Sequence, residues 1–341
     1  MQNTPLVSVI IPTYNRPEML QETIASIAAQ TMTDWQAIIV DDGSNPAVNE
    51  QAIQAQFGNR FQVLRHAVAQ GVSGAKSAGV NAATGKYLAF LDDDDLFAPT
   101  YLASAIEILE ANPQISTLFM GVECFGSNAE WTQNDYDNAT EKTLADAQGI
   151  NINDHLIQFD THLFTALLKR VPMPFQRPVT TRAHFHQVGL YQPDCELLDC
   201  DWALRATLNN VCGLYNVGLY RQRSAGQSYY SIPSRRIRHT ILGFDMKMRL
   251  LVDPHAAAYK NQLTESVMEA GRNVAWEYMA QDKKVSRHSH FCLALYVTVS
   301  VRFNLNFYCM RCTVASAKNN ANLSSSFAIW HACSTDKVLV I

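Results

Sequence analysis

The feature that most constrains the fold is an alternation of short apolar runs with helical patterns over the first hundred residues. The apolar runs are short and nearly continuous, which is typical of strands buried on both faces of a sheet. They span residues 6–11, 35–40, 61–64 and 87–91. Helical patterns lie between them, at residues 16–29, 46–57 and 71–83. This alternation predicts β-α-β units with right-handed crossovers and a parallel sheet.

Polar residues follow three of the predicted strands, at the point where each strand ends. In a parallel α/β sheet, ligands bind beyond the carboxyl ends of the strands. We therefore expect a ligand site at this edge. Its candidate clusters are Thr13-Tyr14-Asn15, Asp41-Asp42-Gly43-Ser44 and Asp92-Asp93-Asp94-Asp95.

The four consecutive aspartates are the strongest of these signals, because neighbouring carboxylates repel each other unless a cation neutralises them. Mg²⁺ and Mn²⁺ accept one or two carboxylates and complete their coordination with water and phosphate oxygens. Alternate side chains of an extended segment face the same side, so Asp92 and Asp94 are the candidate metal ligands. A solvated acidic loop, or the first turn of a helix, is the alternative interpretation.

The two other clusters and the third helix give weaker signals. An acidic residue of the Asp41-Asp42 pair could accept hydrogen bonds from a base or a ribose, although Asp-Gly is also ordinary turn chemistry. The helix that begins GVSGAK could meet an anion through its backbone amides and Lys76. It is not a P-loop, because the required ending is absent.

Composition bears on partners and location. With 27 basic and 31 acidic residues the chain has a net charge of −4, which argues against a nucleic-acid partner. Eight scattered cysteines favour free thiols in a reducing cytosol. The amino-terminal apolar run is too short for a signal sequence, and residues 291–301 are too short to span a bilayer. We expect a cytoplasmic protein and leave contact with the inner face of a membrane open.

The rest of the chain has less regular patterns. Residues 126–150 are polar and are expected to form a surface excursion, while 199–209 predict a helix and 214–220 a strand. From about residue 234 the pattern is mostly helical, and 316–341 show no clear element. We expect a domain over 1–230, divided into 1–110 and 111–230, followed by a helical region over 231–341.

Three quoted segments carry a family resemblance. They are VSVIIPTYNRPEMLQETIASIAAQT, WQAIIVDDGS and GVSGAKSAGVNAATGKYLAFLDDDD. In this order and spacing they resemble family 2 glycosyltransferases of the GT-A fold, densely over residues 6–110 and thinly to about 230. The resemblance implies a mostly parallel sheet flanked by helices, with a Rossmann-like nucleotide-binding half. It also implies transfer of a sugar from a nucleotide-diphosphate sugar to an acceptor hydroxyl, with inversion and with Mg²⁺ or Mn²⁺.

The resemblance assigns roles by position at the donor side. Asp42 would accept from the base, Asp41 would shape that turn, and Asp93 would lie near the ribose. Asp92 and Asp94 match the metal motif, with Asp94 as the most direct ligand. The remaining residues assigned to the nucleotide sugar are Pro12, Thr13, Tyr14, Lys76 and Arg223. Two of these depart from the family, since Lys76 replaces an arginine and Arg223 replaces a histidine.

The resemblance also implies a catalytic base in the second half. The family carries an acidic pair before a helix, and here Leu198-Asp199 occupies that frame, so Leu198 is a third departure. Asp199 is the predicted base, with Asp201 or Glu196 as alternatives. A simple N-cap role for Asp199 is the competing interpretation.

On this basis we predict that the protein transfers a sugar with inversion, and that the donor is a UDP-sugar rather than another nucleotide sugar. The predicted acceptor is a carbohydrate or a glycolipid, in glycan or polysaccharide synthesis. Two alternatives stay open. A nucleotidyltransferase can use a similar sheet and paired aspartates, and a non-catalytic carbohydrate-binding protein would explain the three departures. Fold alone does not decide among them.

Overall fold

Strands and helices alternate strictly over residues 7–90, as the sequence predicts. A computed structural model describes residues 4–193, 195–224 and 233–281. Its first helices are α1 (Pro17–Ala28), α2 (Glu50–Phe57) and α3 (Gly71–Ala82). The first strands are β1 (Val7–Thr13), β2 (Trp35–Asp41), β3 (Phe61–Arg65) and β4 (Tyr87–Phe90).

The second half mixes short strands with longer helices. Its strands are β5 (Leu96–Phe97), β6 (Thr117–Phe125), β7 (Ile150–Asn151), β8 (Leu156–Phe159), β9 (Pro178–Thr181) and β10 (Cys212–Arg223). Its helices are α4 (Tyr101–Ala111), α5 (Ala129–Ala147), α6 (His162–Lys169), α7 (Arg182–Val188) and α8 (Leu198–Thr207). Two longer helices follow, α9 (Pro233–Val252) and α10 (Lys260–Gln281). Short 3-10 helices cover Met173–Gln176 and Pro254–Tyr259.

The strands form one sheet in the order β3-β2-β1-β4-β9-β6-β10-β8-β7, with β5 paired to β10. The four strands of the first half are mutually parallel. Antiparallel pairing begins where β9 lies between β4 and β6. The predicted α/β fold, a mostly parallel sheet flanked by helices, is confirmed, and its second half is mixed.

The register of the sheet brings the polar clusters to one edge. Thr13 is paired with Asp41 at the ends of β1 and β2, and Ile10 is paired with Phe90, so the aspartates after β4 emerge beside Thr13. Helix α3 packs closely against this part of the sheet. A Cβ at Gly79 would lie 2.5 Å from the Ile10 side chain, so the small residues of α3 serve packing.

The core lies on both faces of the sheet. One buried cluster packs α1 and α4 against the sheet through Leu20, Ile24, Tyr101 and Leu102. A second joins α6 and α8 to α9 and α10, and a third packs α3 and α8 around Trp202. Burial of the apolar side chains in these clusters supplies the main driving force for the fold, at about 25 cal/mol per Å² of apolar surface removed from water.

Two local predictions need correction. The polar stretch predicted only as a surface excursion contains the 19-residue helix α5. This helix buries few apolar side chains, so its sequence shows no apolar periodicity. The hydroxyls of Thr140 and Thr143 donate to the backbone carbonyls four residues earlier. Helix α2 begins at Glu50 rather than Pro46, because Asn49 caps it by accepting from the Ala52 amide.

Helices α9 and α10 agree with the predicted helical region after residue 231. They pack on α6 and α8 through Met246, Leu250 and Leu263. Residues 291–301 and 316–341 lie outside the described residues. Among the described helices, none has the length and apolarity needed to cross a membrane. The predicted domain boundary near residue 230 stays a prediction.

Candidate active site

The acidic turn follows β4 and alternates its side chains between the interior and the surface. Asp93 and Asp95 are buried, with side chains 8% and 4% exposed. Asp92 and Asp94 are more open, at 29% and 34%. The turn therefore presents alternate carboxylates to one side, as the D-x-D spacing predicts.

Asp93 and Asp94 are held by Thr13, the last residue of β1, and by Arg16, which precedes α1. The Thr13 hydroxyl donates to Asp93 Oδ2 at 2.7 Å, so this hydroxyl anchors the acidic turn. Arg16 donates to Asp93 Oδ1 at 3.0 Å and to Asp94 Oδ2 at 2.7 Å. Burial raises the pKa of Asp93 above its ordinary value. Sequence reasoning missed Arg16, although its position just after Thr13-Tyr14-Asn15 was a usable signal.

Asp95 faces into the protein and anchors the end of β10. It accepts hydrogen bonds from the Tyr220 hydroxyl at 2.9 Å and from the Arg223 amide at 2.8 Å. Burial, opposed by Arg177 and reinforced by the charges of Asp92 and Asp94, raises the pKa of Asp95 to about 7. Asp95 thus has a structural role and does not extend the exposed cluster.

Asp92 and the predicted base Asp199 lie on either side of Lys76. The Lys76 Nζ is 3.0 and 3.1 Å from the two oxygens of Asp199 and 3.2 Å from Asp92. Its side chain is only 2% exposed. Burial by itself lowers the pKa of Lys76, but the Asp199 and Asp92 carboxylates raise it above the ordinary value. Lys76 therefore contacts two carboxylates in this structure, and its role near the nucleotide stays a prediction.

Arg177 lies on the other side of the same two carboxylates. Its Nη2 is 3.5 Å from Asp92 and 3.8 Å from Asp95, and its Nη1 is 4.0 Å from Asp199. The guanidinium stacks 4.5 Å from the centre of the Tyr220 ring. Burial raises the pKa of Asp92, but Lys76 and Arg177 outweigh burial and lower it to about 2.

Sequence reasoning missed Arg177. It lies in the segment MPFQRPVTT, which has no regular pattern, and it is 85 positions from Asp92 along the chain. No local signal could connect it to the acidic turn.

Asp199 lies in the first turn of α8, and Leu197 occupies the N-cap position of this helix without a side-chain cap hydrogen bond. Asp199 binds Lys76, so the simple N-cap interpretation is wrong. The two alternative bases also have partners. Asp201 is buried and accepts from Arg205 at 2.9 Å, and Glu196 forms an ion pair with Arg238. Of the three carboxylates, only Asp199 shares a cation with the acidic turn, and its role as the base stays a prediction.

The pair at the end of β2 shapes the adjoining loops. Asp41 is fully buried and accepts from the amides of Ser44 at 2.7 Å and Val48 at 3.0 Å, and it pairs with Arg65. Burial raises the pKa of Asp41, but these hydrogen bonds lower it below the ordinary value.

Asp42 holds the start of α3. It accepts from the amides of Gln70 at 2.9 Å and Gly71 at 2.8 Å, and it lies 2.7 Å from His66 Nδ1. Asp42 Oδ2 accepts only the Gly71 amide among these contacts, so it has capacity for one more donor. Contact with a nucleotide base stays a prediction for Asp42.

The remaining predicted residues border the same edge. Pro12 is buried, while Tyr14 is 53% exposed. Arg223 donates from Nε to the Asp94 carbonyl at 2.9 Å and from Nη2 to Glu22 at 2.5 Å. The structure therefore brings residues from the three predicted clusters, together with Lys76, Asp199 and Arg223, to one edge of the sheet.

The donor set fits a divalent ion only in part. Asp92 and Asp94 supply the hard oxygen ligands that Mg²⁺ and Mn²⁺ prefer, and both are partly open to solvent. Among the described residues, no group of three or more His, Cys, Asp or Glu side chains is placed to hold a metal. The two aspartates could therefore supply only part of the coordination shell of such an ion.

The sheet order and the flanking helices define a fold of the GT-A type. Solved structures support the fold. A crystal structure of S. aureus TarS 1-349 in complex with UDP-GlcNAc is 14% identical to this chain, with a TM-score of 0.55. The matched region covers 87% of this chain and 92% of the TarS chain. The mannosyltransferase PcManGT from Pyrobaculum calidifontis, in complex with GDP-Man and Mn²⁺, is 16% identical, covers 88% of this chain and 81% of its own, and has a TM-score of 0.50.

Residues 8–171 match the model of glycosyl transferase family 2, and this part of the chain is a domain of that family. The family resemblance is thereby confirmed. One curated relative is the Escherichia coli UDP-Glc:alpha-D-GlcNAc-diphosphoundecaprenol beta-1,3-glucosyltransferase WfgD. It is 29% identical over 124 residues, which are 36% of this chain and 48% of that protein. The chain spans less than half the length of the curated relatives it matches.

Proposed function

We propose that this protein is an inverting glycosyltransferase that moves a sugar from a nucleotide-diphosphate sugar to an acceptor hydroxyl. The observation that carries the proposal is the placement of Asp199 beside Asp92. The carboxylate suited to act as base and the first carboxylate of the donor-side turn share one lysine, at 3.0 and 3.2 Å.

The acceptor side of the reaction needs a base. An attacking hydroxyl must lose its proton, and a carboxylate within hydrogen-bond reach is suited to take it. In this scheme Asp199 accepts that proton. Its side chain is 17% exposed, so it can be reached from solvent, and Lys76 holds it in one orientation.

The donor side needs a binding surface at the carboxyl edge of the sheet. We assign the base and ribose to the surface around Pro12, Tyr14, Asp42 and Asp93, and the diphosphate to the side of the turn that carries Asp92 and Asp94. Asp92 and Asp94 would hold Mg²⁺ or Mn²⁺, which when bound supplies Lewis acidity that offsets the charge of the leaving diphosphate. Arg223 borders this side and offers a charge-assisted donor to the same group.

Relatives guide the finer choices. TarS was solved with UDP-GlcNAc, and the name of WfgD describes a UDP-glucose donor and a lipid-linked acceptor. We therefore favour a UDP-sugar as the donor and a carbohydrate or glycolipid as the acceptor, in glycan or polysaccharide synthesis. A glycolipid acceptor would bring a cytoplasmic enzyme to the inner face of a membrane.

The test is a thermal-shift screen of nucleotide sugars with and without Mn²⁺, followed by product analysis with the best donor. A ligand that binds the folded state at 100 times its Kd stabilises it by about 2.7 kcal/mol, so a true donor raises Tm. The proposal expects a nucleoside diphosphate and a glycoside as products. Pyrophosphate from a nucleoside triphosphate would show a nucleotidyltransferase instead. Donor binding without any transfer or hydrolysis across an acceptor panel would favour the non-catalytic alternative.

A further inference from the structure

Two basic side chains bridge the same pair of carboxylates. Lys76 lies 3.2 Å from Asp92 and 3.0 Å from Asp199. Arg177 lies 3.5 Å from Asp92 and 4.0 Å from Asp199. The four groups form a closed ring of alternating charge, Asp92-Lys76-Asp199-Arg177, which we call the charge ring.

The charge ring joins four separate parts of the fold. Lys76 comes from α3, Asp92 follows β4, Arg177 precedes β9, and Asp199 lies in the first turn of α8. The donor-side turn and the segment that carries the base are thus connected through two cations. Among the described contacts, no hydrogen bond directly joins Asp92 to Asp199.

The cations of the charge ring are more deeply buried than its carboxylates. The side chains of Lys76 and Arg177 are 2% and 7% exposed, while those of Asp92 and Asp199 are 29% and 17% exposed. The cations therefore lie beneath the carboxylates. A ligand at this edge meets the carboxylates first, and the cations act on it through them.

Arg177 fits a role that depends on its charge and its location. Its distances to the three carboxylates exceed ordinary hydrogen-bond lengths, and within the described residues its Nε has no partner. Its Nη1 donates to the neighbouring Gln176 carbonyl at 3.2 Å, and its guanidinium carbon lies over the Tyr220 ring. A lysine keeps the charge but neither the fork nor the stacking.

We propose that Lys76 and Arg177 are positioning residues which fix the Asp199 carboxylate relative to Asp92, and so set the spacing between base and donor. This inference rests on the proposed function, because the importance of that spacing comes from the transfer reaction. Misplacing a reacting group by about 1 Å can cost about 100-fold in rate. Loss of either cation should therefore lower kcat more than it changes donor binding.

The kinetic test compares Arg177→Met, Arg177→Lys and the control Arg170→Met. Arg170 pairs with Asp146, away from this edge. We expect Arg177→Met to lower kcat about 100-fold, with the donor KM changed less than about 3-fold. The kcat of Arg177→Lys should lie between those of Arg177→Met and wild type, and the kcat and KM of Arg170→Met should match those of wild type. A raised donor KM with unchanged kcat would overturn the proposal, because Arg177 would then bind the donor directly.

A second measurement does not depend on turnover. Urea unfolding of Arg177→Met, Asp199→Asn and the double variant forms a double-mutant cycle. We expect the loss of urea midpoint caused by Arg177→Met to be about halved in the Asp199→Asn background, since the carboxylate left unpaired is then neutral. Additive losses would overturn the charge ring, and Arg177→Gln, which also removes the charge, serves the same cycle if Arg177→Met does not fold. If the wild-type protein turns over no donor, the proposed function fails while this cycle still reports on the ring.

Discussion

Replacing Lys76 by methionine tests the charge ring through its stability. Methionine keeps most of the volume of the side chain and removes its charge, so Asp92 and Asp199 then face each other with Arg177 as their remaining cation. Breaking a buried ion pair by removing one partner costs about 3–5 kcal/mol. We take the lower end, about 3 kcal/mol, because both carboxylates are partly exposed and Arg177 remains.

This loss can be converted into a melting temperature. Residues 1–281 form one compact unit, and unfolding entropy is about 2.1 cal/mol/K per residue. A loss of about 3 kcal/mol then lowers Tm by about 5 °C. The assay is calorimetric or fluorescence-detected melting at neutral pH and low salt.

Lys86→Met is the matched control. Lys86 also makes an ion pair, 2.6 Å from Glu110, but its side chain is 53% exposed. Exposed pairs contribute little to stability, so we expect a Tm close to that of wild type. Equal Tm losses for Lys76→Met and Lys86→Met, or no loss for Lys76→Met, would refute the reasoning from burial.

Three further predictions concern the acidic residues. Asp94→Ala should keep the wild-type Tm, because the side chain is partly exposed, and should reduce transfer to background in a nucleoside diphosphate release assay; normal turnover would remove its role as a ligand. Chelation of divalent ions with EDTA should stop the same assay and added Mn²⁺ should restore it, whereas full activity in EDTA would count against metal dependence. Asp41→Asn should cost about 2 kcal/mol of unfolding free energy at pH 7, the scale of hydrogen bonds to a charged group. Because the folded pKa of Asp41 lies below its ordinary value, that stability is present above about pH 4 and is lost as pH falls further, so the deficit of Asp41→Asn should shrink at pH 3; a deficit independent of pH would contradict this.

Much of the nucleotide-binding half could be predicted because its signals are local. Each strand is a continuous apolar run, and each polar cluster directly follows one, so topology alone brings Thr13, Asp41 and Asp92 to the same edge. In this half the structure differs from the prediction only in where elements begin and end, as at α2, where the Asn49 cap determines the start of the helix. Helix α5 was missed because it buries few apolar side chains, so no apolar periodicity marks it in the sequence. Its polar side chains form local hydrogen bonds instead.

The partners of the site residues could not be predicted in the same way. The assignment of Lys76 to the nucleotide stays a prediction. What the sequence could not show is that its ammonium lies between two carboxylates, one of which comes from 123 positions further along the chain. Arg177 carries no motif, and its importance arises only when β9 inserts beside β4. The repulsion within the four aspartates suggested a metal ion. In the structure, Arg16, Lys76, Arg177 and Arg223 already surround the turn.

The most direct test of the assignment of Asp199 is the rate of sugar transfer by Asp199→Asn with the donor identified in the thermal screen. Asparagine keeps the shape of the side chain but cannot take the acceptor proton. We predict that donor binding is retained, with a Kd within about 3-fold of wild type, while kcat falls by about 100-fold or more, the scale of general base catalysis. A kcat near the wild-type value would contradict the account, because Asp199 would then not be the base.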